Sequence, residues 1–386
     1  MSRSVFINAT SAVFPNAPVD NDNIEKVLGA VRGKPSRSRA IVLQSNQIKT
    51  RYYAIDRETR QPTHTNAQLT SEAVRALFAE NPQLDLRAVE LMCCGTSSPD
   101  VLVPAHGQMV QGHLADFQGE VVTTSGVCCS SSSALKNAYL SILAGDTSRA
   151  IVTGSETSSK FMRSEFLESE SEQRVSELEK NPLVAFEHDF LRWMLSDGAG
   201  AMYLSDQPDA GRVNLRLNWI EGRSYANEED VCMFGGGHRG SDGTIVPWKD
   251  LRLIDDPIKH RFAMNIHQDI RQLRDRVPEL TVERPLTALK KKRGLQPGDY
   301  TWFLPHYSSH FFRQTLFDTL ARVDFAIPFE RWFTSLYDRG NVGSASILVF
   351  ISELIRQKKL ERGQKILCYV PESARFSVYY FELEAV

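Results

Sequence analysis

The feature that most constrains this chain occurs twice. The stretch "SGVCCSSSSALKNAYLSILAGDTSRAIVTGSE" opens on a glycine and a run of small residues. Its apolar residues then fall at 134, 135, 138, 139, 142 and 143, which is one face of an α-helix. Gly145 ends that helix, and "RAIVTGSE" follows as a short buried strand. Near the other end, "GNVGSASILVFISELIRQKKLERG" again opens on small residues and runs as an apolar helix expected to stop near Gly363, before the strand "KILCYVPES". Two such units predict two similar α/β halves, and 386 residues leave room for both cores. The halves are expected to cover 1–210 and 211–386.

The remaining segments fit that plan. "AVELMCCG" at 88–95 predicts a buried strand followed by a turn at "TSSPD", and "SDGAGAMYLSD" a glycine-rich turn into another strand. "YTWFLPHYSS" predicts a strand ending at Pro305, with a helix after it through Phe311, Leu316 and Leu320, and "RFSVYYFELEAV" the last strand. The acid-rich stretch 164–181 predicts a surface helix and loop.

Composition excludes several function classes. A formal net charge of −2 gives no electrostatic case for a nucleic-acid partner. The six cysteines (93, 94, 128, 129, 232 and 368) include no C-x-x-C pair, so neither a zinc site nor a secreted disulfide framework is indicated, no metal is expected, and a reducing cytoplasm fits best. No run of about 18 apolar residues is present, so no membrane span is expected, and Pro15 and Pro18 break the N-terminal apolar stretch that a signal peptide would need.

Two adjacent cysteines at a helix start raise the question of nucleophilic chemistry. Only the thiolate attacks well, and unpaired N–H groups at a helix N-terminus favour it. Buried free cysteines are also commonly inert, and this segment alone does not choose between Cys128 and Cys129. His306 follows Pro305 at the carboxyl end of a buried strand, the edge where α/β sheets place their sites. Asn341 stands in a tight Gly-Asn turn at the head of the repeated helix. Singly, a histidine is more often structural and an asparagine beside glycine more often a turn former. Together with a cysteine they form a set in which His and Asn donate hydrogen bonds to an enolate or oxyanion.

With those residues in hand, the order and spacing of "GTSSPD", "CCSSSSALKNAYLSILAGDTSRAIVTGSE", "LSDGAGAMYL", "FLPHYSSHF" and "RGNVGSAS" resemble the β-ketoacyl-ACP synthase III family over nearly the whole chain. The resemblance implies the thiolase fold, a five-layer αβαβα arrangement of two similar halves, and an acyltransferase working through a Cys acyl-enzyme. It also implies a homodimer in the cytoplasm and no bound cofactor, since phosphopantetheine arrives on an acyl carrier protein or as acyl-CoA. In the family pattern the nucleophile lies six residues before the Ala-Leu of its helix, which gives Cys128 ahead of Ala134-Leu135, with His306 and Asn341 as its partners.

Three departures stand out. The family's Asn four residues after the histidine is replaced by His310, and the helix that follows carries Arg313, a candidate contact for an acidic carrier protein. The family's glycine-rich oxyanion loop is replaced by "PESARF": the amide near Ser373 remains a candidate beside the N–H of Cys128, but Pro371 has none and Glu372 adds a charge. Glu156, at the end of the strand after the nucleophile helix, is either a capped carboxylate or a base for a step beyond condensation. The basic clusters Arg32/Lys34/Arg37/Arg39 and Lys290–Arg293 are candidate carrier contacts, more often a solvated face. The segment from "GKPSRSRAIVLQ" onward and the "VPESARF" ending resemble the ketosynthase-cyclases of bacterial dialkylresorcinol and stilbene-type synthesis. That narrower likeness implies Claisen condensation and Michael addition between a β-ketoacyl and an α,β-unsaturated acyl thioester. The alternatives are an initiating ketosynthase or acyltransferase giving a linear product or ester, and an inactive partner subunit, against which the retained Cys128, His306 and Asn341 speak.

Overall fold

The computed structural model describes residues 3–36, 38–166, 190–240, 242–250, 263–358 and 360–386. Arg37 and most of the acid-rich 164–181 stretch lie outside the described residues.

Among the described residues, nine strands are hydrogen-bonded in one series. In chain order they are β1 (Phe6–Val13), β2 (Leu91–Thr96), β3 (Glu120–Ser125), β4 (Arg149–Glu156), β5 (Gly198–Ser205), β6 (Leu215–Ser224), β7 (Trp302–Pro305), β8 (Lys365–Glu372) and β9 (Ser377–Ala385). Their spatial order is β3-β2-β4-β5-β1 continuing as β6-β9-β8-β7. The junction is slight: β1 meets β6 only at Phe6–Arg216 and Ile7–Leu215. On either side of it the pattern repeats. Strand β2 lies parallel to β4, and β4 antiparallel to β5; likewise β7 lies parallel to β8, and β8 antiparallel to β9. Where β3 flanks β2, the described residues of the second half have a single parallel bridge from Phe303 to Trp332.

The helices supply the other layers. Helix α1 (Asn66–Ala79), started by a Thr65–Gln68 capping box, packs on the outer face of β1, β4 and β5. Between the halves lie α2 (Ser130–Ala144) and α5 (Ser346–Gln357), touching strands of both. On the far face are α3 (Arg284–Arg293), α4 (Phe311–Arg322) and a π-helical turn, Pro278–Glu283. This is the five-layer arrangement of two similar halves. Strands β4 and β5 are buried almost throughout because helices cover both faces, which is why they read as unbroken apolar runs. Gly145 closes α2 in a left-handed conformation at φ 81°, as its position predicts. Helix α5 stops sooner than expected: Lys358 is already extended at φ −117°, ψ 135°, so the polar "KKLERG" tail is a connection and not a last turn.

A row of glycines seats the two central helices. Gly95, Gly154 and Gly200 are paired across β2, β4 and β5. A Cβ on Gly95 would stand 2.5 Å from the Ser131 nitrogen, and one on Gly154 would stand 2.9 Å from both Ser131 Cβ and the Ser344 carbonyl. The missing side chains let the starts of α2 and α5 settle onto the sheet. Ser131 Oγ–H donates to the Ser344 carbonyl across the same seam. The serines of the opening motif are therefore packing residues.

Candidate active site

Cys128 stands just before α2, with Cys129 as the N-cap residue. Their environments differ. Cys129 is 4% exposed and its thiol donates to the Val370 carbonyl at 3.2 Å, while Cys128 is half-buried and lines a cavity. That cavity has a volume of about 120 Å³, several times the roughly 15 Å³ one water needs. Cys128, His306 and Ser373 share it, and Leu273, Val277, Val282, Phe312, Leu316 and Tyr369 supply much of its apolar wall. Five of its lining residues come from the 273–282 segment, in which the sequence marks no site residue.

His306 follows β7 directly, and its backbone N–H donates to the Tyr369 carbonyl at 2.8 Å. The ring is 3% exposed, and among the described residues its Nδ1 has no hydrogen-bond partner. Burial pushes its pKa down to about 4. At neutral pH the imidazole is uncharged and carries one N–H donor, the form suited to stabilising a developing oxyanion.

Asn341 is fixed at both levels. Its N–H donates to Met194 and its carbonyl accepts from Ser196, at 2.9 and 2.8 Å. The Oδ1 accepts from the Gly343 N–H at 2.9 Å and from Ser346 Oγ at 3.4 Å, so the NH₂ end is the one left to donate. Gly340 makes the turn possible at φ 73°, where a Cβ would also press to 2.7 Å from Ser196 Cβ. Asn341 does not line the cavity with Cys128 and His306; it is buried at the head of α5.

Glu156 has a bracing position and not one in the cleft. It is fully buried and accepts four hydrogen bonds: from the Ser97 and Ser344 N–H groups at 3.1 and 3.2 Å, and from the Ser97 and Ser98 hydroxyls at 2.6 Å each. These tie the loop after β2 to the head of α5. Burial raises its pKa despite those donors. With its oxygens so engaged by four donors, it braces these two segments against each other.

The "PESARF" segment departs from a glycine loop in a specific way. Pro371 and Ser373 line the cavity, and Ser373 Oγ accepts a long 3.5 Å contact from Gln268 Nε2. Between them, Glu372 Oε2 accepts from the Val127 N–H at 2.9 Å and the Cys129 N–H at 3.2 Å. These are the amides on either side of the Cys128 peptide unit. Glu372 stood out in the sequence as an added charge; its partners, more than 240 residues away, did not. The Cys128 pKa is driven upward, chiefly by burial and then by the charges of Glu372 and Glu156.

The basic residues are mostly committed within the chain. Arg39 donates to the Asn21 carbonyl at 2.6 Å and pairs with Asp22 at 2.8 Å. Lys292 and Arg293 pair with Glu221, and Lys290 reaches the Val323 carbonyl. Arg313 is half-buried, its guanidinium 3.6 Å from the Phe329 ring centre. His310 Nδ1 lies 2.8 Å from the Tyr337 hydroxyl.

Two family models match the chain over the segments that hold the candidate site residues. "Beta-ketoacyl synthase, N-terminal domain" covers residues 101–210, with Cys128, and "3-Oxoacyl-[acyl-carrier-protein (ACP)] synthase III C terminal" covers 290–370, with His306 and Asn341. Beta-ketoacyl-[acyl-carrier-protein] synthase III of Xanthomonas campestris is 21% identical over 372 residues, 95% of each chain. The chain is an acyltransferase-type ketosynthase, similar to the synthase III enzymes over nearly its whole length. The Ruegeria pomeroyi synthase III is 24% identical to this ketosynthase over 367 residues, again 95% of each. Solved structures agree on the thiolase fold. AbyA1, a tetronic acid condensing enzyme, superposes with a TM-score of 0.75 at 20% identity, covering 98% of this chain and 99% of its own. Xanthomonas campestris OleA, solved with lauric acid and lauroyl-CoA, gives 0.72 at 16% identity over the whole of both chains. This ketosynthase is thus an acyltransferase-type enzyme that condenses acyl thioesters. No described helix is long and apolar enough to cross a membrane.

Proposed function

We propose that this ketosynthase joins a β-ketoacyl thioester to an α,β-unsaturated acyl thioester and closes a carbocycle, a cyclohexanedione precursor of a dialkyl- or aryl-alkylresorcinol. The observation that carries the reading is the shared cavity: a thiol, an uncharged imidazole and an apolar wall meet at one place. Cys128 Sγ attacks the thioester carbonyl of the unsaturated chain, and the carrier thiol leaves with the proton. A six-membered ring then takes three carbons from each partner. The α-carbon of the β-ketoacyl thioester adds to the β-carbon of the enoyl chain. Its γ-carbon attacks the Cys128 thioester carbonyl, and Sγ is released. Two C–C bonds form, one C–S bond breaks, and the second partner's own thioester stays on the ring. His306 and Asn341 donate hydrogen bonds to the enolate and to the thioester oxygen, and the Cys128 N–H, with an amide near Ser373, completes the oxyanion site.

The acyl groups come on the phosphopantetheine of an acyl carrier protein or as CoA thioesters, with Arg313 beside the cavity-lining Phe312 as the carrier contact. The working enzyme is a cytoplasmic homodimer whose first half, 1–210, carries the nucleophile and whose second half carries the donors. That the fold also serves AbyA1, a tetronic acid condensing enzyme, supports a condensation other than chain initiation. The relatives called synthase III favour the rival reading, a linear β-ketoacyl product. Purified protein given both thioesters, with products read by mass spectrometry, separates the two. A carbocyclic product formed without malonyl donor supports the proposal; only linear products would overturn it.

A further inference from the structure

We propose that Glu372 is a positioning residue for Cys128, clamping the two peptide N–H groups that flank it and placing a negative charge where a helix start would otherwise favour a thiolate. The inference rests on the reading of Cys128 as nucleophile. A helix N-terminus leaves its first N–H groups unpaired, and those groups ordinarily stabilise an anion at that end. Here Glu372 Oε2 takes the Val127 and Cys129 N–H groups at 2.9 and 3.2 Å. The clamp comes from β8, the strand that also carries Tyr369 and Pro371 into the cavity wall. Strand and nucleophile turn are therefore tied together by two hydrogen bonds.

The carboxylate reaches the turn from the side away from the acyl cavity. It lines a separate polar cavity with Lys136 of α2, Arg223 of β6, Tyr379 of β9 and the Cys129 face, while Cys128 and His306 line the acyl cavity. The charged and titratable groups about the nucleophile are thus the carboxyl groups of Glu372 and Glu156, the uncharged ring of His306, Cys129 and Tyr379, and the cations Lys136 and Arg223 behind the clamp. Two carboxylates near a half-buried sulfur, with the helix-start amides already engaged, favour a resting thiol over a resting thiolate. The nucleophile then ionises only as it attacks, passing its proton to the departing carrier thiol.

The test is the pH profile of iodoacetamide alkylation at Cys128, followed by peptide mass spectrometry in the full chain. Glu372→Gln keeps an oxygen to accept the two N–H bonds and removes the charge. Its profile should move to lower pH, raising the alkylation rate at pH 7.5 by about tenfold, one unit of thiol pKa. Glu372→Asp keeps the charge but is too short to hold both amides, so its profile should stay near the parent's while acyl loading slows. A Glu372→Gln profile unchanged or moved to higher pH would overturn the proposal. Should Glu372→Gln fail to fold, a Glu372→Asp profile moved to lower pH with loading unimpaired would do the same. If the parent chain carries no acyl group at Cys128 after exposure to an acyl thioester, the nucleophile assignment itself fails, an outcome distinct from either.

Discussion

Replacing Gly95 by alanine should damage this enzyme far more than one added methyl suggests. The new Cβ would lie 2.5 Å from the Ser131 nitrogen, 2.6 Å from the Ser130 carbonyl carbon and 2.7 Å from Ser131 Cα. All three are backbone atoms of the first turn of α2, so no side chain can swing aside. Either the helix start lifts or β2 bows, and β2 is held by paired strands on both sides. Overpacking a rigid core costs about 1–3 kcal/mol, and contact with backbone on both elements places Gly95→Ala at about 3 kcal/mol. The lifted turn includes Cys128, two residues ahead of Ser130, so acyl loading should fall with stability. Gly298→Ala is the control: Gly298 is exposed and a Cβ there meets nothing within 4 Å, so its effect should be within about 0.5 kcal/mol of zero or slightly stabilising. Urea unfolding followed by tryptophan fluorescence measures both. A Gly95→Ala enzyme within 0.5 kcal/mol of the parent (on the order of a surface change), loading acyl groups normally, would refute the claim that the glycine row seats the nucleophile helix.

Other outcomes follow from the same geometry. Asn341→Ala should keep acyl loading and lose condensation by about 10²–10³-fold, the usual cost of an oxyanion donor, as measured by product formation after single-turnover loading. His306 is held at about 4 by burial against about 6.5 unfolded, so the unfolded chain binds its proton first. The stability tied to its neutral form is whole above about pH 6.5 and lost as the pH falls toward 4. Comparing His306→Asn with the parent across that range should reveal about 3 kcal/mol less acid sensitivity in the variant. Asp197, raised to about 6, and Glu156, also raised, act in the opposite sense in both proteins and cancel in that comparison. Widening the cavity wall with Leu316→Ala should destabilise by about 2–3 kcal/mol and shift chain-length preference upward, read by competition between acyl thioesters of different length.

Much of the fold was legible because its signals are local. The stripe from Ala134 to Leu143, the Gly145 stop and the buried runs at 149–156 and 365–370 each depend on residues close in sequence, and each forms the element expected. The choice of Cys128 over Cys129 needed the family's register, and the two thiols' different surroundings then fit it: one faces a cavity, the other a strand carbonyl. What sequence did not reveal depends on distant pairing. The Gly95–Gly154–Gly200 row exists only once three strands are in register, and Glu372 meets its two amides only when β8 packs behind α2. Glu156 shows the opposite case. Its place after the nucleophile helix left a capped carboxylate and a base equally open, and the contacts from Ser97, Ser98 and Ser344, which cap it, come from two other segments. Helix α5 reads too long in the sequence because the residues after Gln357 are good helix formers but lack the repeating apolar face that would hold a further turn.

The proposed chemistry turns on the Cys128 sulfur as the atom that receives the acyl group. The most direct measurement is intact-protein and peptide mass spectrometry after incubation with an unsaturated acyl thioester alone. The account predicts one acyl adduct per chain, mapped to Cys128, absent from Cys128→Ala and present in Cys129→Ala. An adduct on Cys129, or normal loading of Cys128→Ala, would contradict it.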